Sequence, residues 1–129
     1  MADLERERYV SITTFRRDAS PVATPVWVVG DGSRLYIWTG AQSGKVKRIR
    51  RNPDVTVAPC TARGVVRGPS VRAHADIVQA ADHPEIWQLF LAKYGLQLRA
   101  ILLSGRIRRM LRHSPASDER VLLRLTPAQ

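Results

Sequence analysis

The apolar, β-branched run from Pro21 to Val29 carries a proline, Pro25, inside it. A proline has no N–H to give to a β-ladder, so this strand belongs at a sheet edge, at a bulge or against a ligand. Its neighbours in sequence also read as strands. Tyr9 to Arg16 alternates, with Val10, Ile12 and Thr14 on one face and Tyr9, Ser11, Thr13 and Phe15 on the other. The polar stretch Arg17, Asp18, Ala19, Ser20 separates the two runs. Gly30, Asp31, Gly32 and Ser33 make a strong turn signal, and Leu35 to Thr39 follows as a third strand. Residues 9–39 therefore predict an antiparallel meander.

Gly40 to Ser43 breaks this pattern. Gly44 to Arg51 reads as a short helix ended by Asn52 and Pro53, because the residue before a proline is pushed out of helical geometry. Val55 to Cys60 is a fourth strand, Arg63 to Pro69 a loop or distorted hairpin, and Ser70 to Val78 a fifth strand. The period then changes. Asp82 and Glu85 resemble a capping box with Pro84 in the first turn, and Ile86, Trp87, Phe90 and Tyr94 keep helical spacing up to Gly95. A second helical pattern runs through Leu98, Ile101, Leu102, Ile107, Met110 and Leu111, with Gly105 as a weak point and Ser114-Pro115 as its end. Val121 to Thr126 alternates again and returns to the sheet. The expected fold class is α+β: a six-stranded antiparallel barrel in one domain over residues 1–129, with a helical excursion before the last strand.

Charge narrows the partners. Lys and Arg total 21 against 11 Asp and Glu, a formal charge of +10, which favours an anionic ligand. The single cysteine, Cys60, excludes an internal disulfide and a Cys-rich zinc site. His74, His83 and His113 form no H-E-x-x-H helix, so no metal is expected. No apolar run is long enough to span a bilayer. The opening residues mix Asp3, Glu5 and Glu7 with Arg6 and Arg8, unlike a secretory leader, which predicts a cytoplasmic protein without membrane contact.

The sharpest local feature is the segment from Thr39 to Pro53. A strand ends at a hydroxyl, and a Gly/Ser loop leads into a helix whose first turn carries Lys45 and Lys47. Unpaired N–H groups and the helix dipole favour an anion there. Ser43 adds a hydroxyl, and Gly44 permits close backbone approach. It is not a Walker loop, because Val46 follows the lysine. The bland alternative is a solvated basic helix, whose lysines oppose the dipole at roughly 0.3–1 kcal/mol each.

At this segment the sequence resembles the pyridoxamine-phosphate-oxidase-like split barrels, which bind flavins or the deazaflavin coenzyme F420. The resemblance runs through Tyr9–Asp18, Pro21–Trp27, Leu35–Thr39, Ser43–Pro53 and Val55–Cys60. It is nearest to the actinobacterial, deazaflavin-dependent branch. It implies a six-stranded split barrel, a phosphate-binding short helix and a homodimer with cofactor near the dimer interface. By resemblance the phosphate falls to Trp38, Thr39, Ser43, Gly44, Lys45 and Lys47. The tricyclic ring falls beside Thr24, Pro25, Val26 and Trp27. FMN-using oxidases commonly carry an Arg near the place of Thr24 and a basic residue where Gly44 stands.

The reaction implied is hydride transfer between reduced coenzyme F420 and an electron-poor small-molecule acceptor. The cofactor supplies that chemistry, so no acid–base pair is required and no catalytic side chain is named. The alternatives are an FMN-binding oxidoreductase, a non-catalytic F420-, flavin- or haem-binding protein, and last a basic nucleic-acid-binding barrel. The sequence has no interleaved aromatic–basic strand, which argues against nucleic acid. Arg63, Arg67 and Arg72 offer a groove for the deazaflavin's carboxylate tail, or simply a solvated basic loop. The basic stretch from Arg106 to His113 reads first as a helix packing Ile107, Met110 and Leu111 inward. Cys60 reads as a buried structural thiol, and His74 as a surface or interface residue.

Overall fold

The computed structural model describes residues 2–103 and 120–128. Its strands are β1 (Tyr9–Phe15), β2 (Pro21–Val26), β3 (Val29–Gly30), β4 (Leu35–Gly40), β5 (Asp54–Cys60), β6 (Val71–Gln79) and β7 (Arg120–Pro127). Two α-helices, α1 (Gly44–Arg51) and α2 (Pro84–Leu103), complete it with short 3-10 turns at Ala2–Arg6 and Ala80–Asp82. The class is α+β, but the sheet has seven strands rather than six, because the run from Pro21 to Val29 is two strands.

The spatial order is β2-β1-β5-β6-β7-β4-β3, and every pairing is antiparallel. The expected meander therefore stops after its first hairpin. β2 pairs with β1, whereas β4 pairs with β7 and with the two-residue β3. β2 and β3 lie at opposite edges of the sheet, yet only Trp27 and Val28 separate them in the chain. So short a link joins two edges only if the sheet curls until they meet. Pro25 sits on the outermost strand, where its missing N–H is tolerated.

Alternation along the strands fills two cores. Val10, Ile12, Leu35, Ile37, Val55, Val57, Leu123 and Leu125 point into the barrel with Val46 and Ile49 of α1. Tyr36 and Leu122 point the other way, against Ile86, Phe90 and Tyr94 of α2. β4 and β7 are thus buried on both faces, which explains their nearly continuous apolar sequence.

The link between β2 and β3 leaves the backbone of Val28 without a ladder partner, and α2 supplies one. The Tyr94 hydroxyl accepts from the Val28 N–H at 3.0 Å and stands 2.9 Å from the Val28 carbonyl and 2.8 Å from that of Arg8. Lys93 Nζ donates to the carbonyls of Glu5, Glu7 and Val28 at 2.7, 2.6 and 2.7 Å. Buried backbone groups need such partners, so one turn of α2 closes the barrel corner.

Two details depart from the sequence reading. Helix α2 continues through Gly95 to Leu103, since one glycine costs only about 1 kcal/mol in a helix. Asp82 ends a 3-10 turn, and Glu85 Oε1 lies 3.2 Å from His83 Nδ1 instead of completing a capping box. The expected turn does form: the Asp31 carboxylate accepts from the N–H groups of Ser33 and Arg34, at 3.0 and 2.8 Å. The basic stretch from Arg106 to His113 and the Ser114-Pro115 stop lie outside the described residues.

Candidate cofactor site

The corner between β4 and α1 is built by hydroxyls. Thr39, buried at the end of β4, donates from Oγ1 to Ser43 Oγ at 3.2 Å. Ser43 has extended dihedrals (φ −66°, ψ 156°), and its Oγ accepts from the Val46 N–H at 3.4 Å. This is the N-cap arrangement that serine favours. Val46 and Ile49 hold α1 on the barrel, and Asn52 closes it with its N–H 2.9 Å from the Arg48 carbonyl.

Cations gather where the helix dipole disfavours them. The first turn of α1 has no acidic residue. Lys45 is half-buried, and burial, followed by the Arg48 guanidinium, pushes its ammonium below the usual lysine value. Among the described residues no carboxylate forms a salt bridge with Lys45, Lys47 or Arg48. Lys47 faces an open cleft of about 540 Å³ with Arg16, Arg17, Gly44, Arg48 and Arg51. The acid of that cleft, Asp18, is held by its own turn, with Ser20 Oγ at 2.7 Å and the Ser20 N–H at 3.0 Å. An anion would relieve the repulsion and use the open N–H groups of the first turn.

The residues implied by resemblance fall into three places. Thr39, Ser43, Gly44 and Lys45 come together at the corner, with Lys47 on the adjoining cleft. Thr24, Pro25 and Val26 lie on the edge strand opposite Ile12, Ser11 and Val10. Thr24 shares the face of Ile12 and Thr14, the face on which α1 is anchored. Trp27 and Trp38 are elsewhere. Trp27 stacks on Tyr94, and Trp38 packs on Trp87 with ring centroids 4.6 Å apart. Strand alternation turns the Trp38 side chain away from Thr39, so the structure does not bring its indole to Ser43.

Other candidates resolve simply. Arg72 pairs across the ladder with Thr56, and Thr56 with Thr13, so Arg72 lies on the face opposite Thr14 and α1. Arg67 meets Glu7 at 3.7 Å. Arg72 therefore shares no sheet face with α1. Cys60 is buried, and burial, then Glu7, raises its thiol pKa. His74 is exposed, 3.5 Å from Asp76. Among the described residues no group of His, Cys, Asp or Glu is arranged to hold a metal. None of the described helices is long and apolar enough to cross a membrane.

The sequence reading missed Arg16, Arg17, Arg48 and Arg51. Arg48 follows Gly44 by four residues, which puts both on one helix face, and this spacing was the available signal. The other three depend on the β1–β2 turn folding against α1, a tertiary contact that no local pattern shows.

Comparison with known proteins gives the frame. The family model for pyridoxamine 5'-phosphate oxidase matches residues 1–129. The chain belongs to the pyridoxamine 5'-phosphate oxidase family. An F420 reductase of known structure is 22% identical, with TM-score 0.64 over 98% of this chain and 90% of that one. A pyridoxamine 5'-phosphate oxidase-related, FMN-binding protein from Nostoc punctiforme is 18% identical, with TM-score 0.59 over 93% and 70% of the two chains. HutZ, the heme storage protein from Vibrio cholerae, is 17% identical, with TM-score 0.61 over 98% and 87%. No curated protein matches the sequence. At these identities the likeness shows a shared fold, and the described ligands of the three relatives differ. The choice of ligand in this family member therefore rests on side chains.

Proposed function

We propose that this chain is a deazaflavin-dependent oxidoreductase that works as a homodimer and transfers a hydride between reduced coenzyme F420 and an electron-poor small-molecule acceptor. The carrying observation is the Thr39–Ser43–Lys45 corner. A half-buried lysine stands there beside a second cation, with no carboxylate bridged to either among the described residues. That donor set fits a phosphate: Ser43 and the first-turn N–H groups would receive its oxygens and Lys45 its charge. Thr24, on the same sheet face as the α1 anchor, gives a short neutral side chain beside the ring. Lys47, Arg16, Arg17 and Arg51 line an exit suited to a polycarboxylate tail.

When bound, the deazaflavin supplies the hydride chemistry. The protein's part is to hold the phosphate, fix the ring against the edge strand β2 and keep water from it. The apolar exposed side chains Val65, Val66 and Leu96 are surface that a second copy would cover.

The test is turnover. Purified protein is mixed with reduced F420 and with conjugated carbonyl, imine and quinone acceptors. Oxidation of the cofactor faster than in the protein-free control supports the reading. Binding without acceleration would make the chain a carrier. FMN is the second reading, favoured by the FMN-binding relative from Nostoc punctiforme. The same assay with reduced FMN separates the two.

A further inference from the structure

Arg48 belongs to α1 but is not held by it. It is held from a different element: its Nε donates to Thr14 Oγ1 of β1 at 2.6 Å. Thr14 is fully buried, so this anchor is fixed by the core and not by solvent. The rest of the guanidinium folds back over Gly44. A Cβ built on Gly44 would stand 2.8 Å from Arg48 Nη1. The guanidinium thus fills the space that any larger residue at position 44 would need.

This placement is unfavourable in the free protein. Arg48 sits close enough to Lys45 to lower that lysine's pKa. Both cations lie at the positive end of α1. The anchor is a neutral hydroxyl, and the two Nη groups make no hydrogen bond with the described residues. Arg48 lines the open cleft beside Gly44 and Lys47. It is clamped there at its Nε, with its terminal nitrogens left over for another acceptor.

We propose that Arg48 is the second anion-binding residue of the α1 corner, positioned by Thr14 and admitted by Gly44, so that a phosphate is held between Arg48 and Lys45. This rests on the reading of the corner as a phosphate site. It adds that the pair, rather than Lys45 alone, selects a tetrahedral anion with several accepting oxygens over a lone carboxylate. A guanidinium edge and an ammonium demand different oxygens of the same group. Thr14 acts only through Arg48 and is a positioning residue.

The experiment is calorimetric titration of the protein with inorganic phosphate, and separately with acetate, at low salt and pH 7.5. Arg48→Met is expected to weaken phosphate binding by about tenfold or more, the scale of one charged hydrogen bond. Thr14→Val, which keeps the arginine but frees it, is expected to weaken it by about threefold to tenfold. Gly44→Ala, which displaces Nη1, should resemble Thr14→Val. Arg50→Met, at an exposed position of the same helix, should stay within about twofold and controls for net charge. Acetate binding should be weak throughout.

A merely structural Arg48 gives a different pattern. Arg48→Met and Thr14→Val would then lower the melting temperature and leave phosphate affinity unchanged, and the inference would be overturned. If Arg48→Met does not fold, Thr14→Val and Gly44→Ala decide on the same readout. Lys45→Ala distinguishes the two levels of the argument. Loss of binding in Lys45→Ala with none in the Arg48, Thr14 and Gly44 variants removes only the role of Arg48. Unchanged binding in Lys45→Ala removes the phosphate site itself.

Discussion

The Trp27 indole lies flat on the Tyr94 ring, with centroids 4.4 Å apart and planes 3° from parallel. The same tyrosine accepts from the Val28 N–H through its hydroxyl. One residue of α2 therefore meets both residues that join the two edge strands. Its ring covers the side chain of Trp27 and its hydroxyl satisfies the backbone of Val28. Tyr94→Phe keeps the stack and removes the hydroxyl, leaving the Val28 N–H buried without that partner. The expected loss is about 1–3 kcal/mol of stability. Urea unfolding measures it, and an unchanged midpoint would contradict this role.

Lys93 beside it makes stability depend on pH. Burial, then the Arg8 guanidinium, lowers its pKa from 10.5 to about 8, against the opposing pull of Glu5 and Glu7. Between these values the unfolded chain holds the proton and the folded chain releases it. The contribution of this group therefore grows as pH rises from about 8 to 10.5, and is lost as pH falls through 8. The stability of the wild type relative to Lys93→Met should rise across that window. A difference independent of pH would contradict it.

Cys60 behaves in the opposite sense. Its folded thiol is held above 9.0 by burial first and by Glu7 second. It is 2% exposed in the folded chain. A thiol reagent at pH 8 should find almost no reactive group until denaturant is added, and then the single cysteine. Rapid reaction of the folded protein would show that the strand does not shield it.

Lys45 predicts how affinity changes with pH. In the free chain its pKa lies below 10.5, through burial first and Arg48 second. An anion raises it again, so binding takes up a proton as pH approaches the lowered value. Phosphate affinity should rise through neutral pH as the ligand becomes a dianion, and fall again as the solution turns alkaline and Lys45 loses its proton. Arg48→Met should move that fall to higher pH. The fall is read from titrations at successive pH values, and a curve that the Arg48 substitution leaves in place would contradict the coupling.

Much of this molecule was legible in its sequence because its signals are local. The period-2 alternation of Tyr9–Phe15, the Asp31 turn, and the short helix from Gly44 with its Asn52-Pro53 stop each depend on a few neighbouring residues. Pro25 offered its strand a sheet edge, a bulge or a ligand, and the edge is where the strand lies. What stayed hidden is tertiary. Nothing local says that the run from Pro21 to Val29 breaks at Trp27 to reach both edges of the sheet, because the partners that stabilise the break stand on α2. The same holds for Arg48. Its i, i+4 relation to Gly44 is in the sequence, but the Thr14 hydroxyl that fixes it comes from 34 residues away. Trp38 shows the converse: a residue can adjoin the corner in sequence while alternation sends its side chain to the opposite core.

The proposed function stands on the α1 corner holding the phosphate of a deazaflavin. Titration of the protein with F420 and, separately, with FMN, followed by tryptophan quenching and repeated with Lys45→Ala, tests it most directly. The account predicts tight F420 binding, weaker FMN binding, and a loss of about 1.5–3 kcal/mol in the variant, the scale of a charged hydrogen bond. Binding of neither cofactor, or F420 binding indifferent to Lys45, would contradict it.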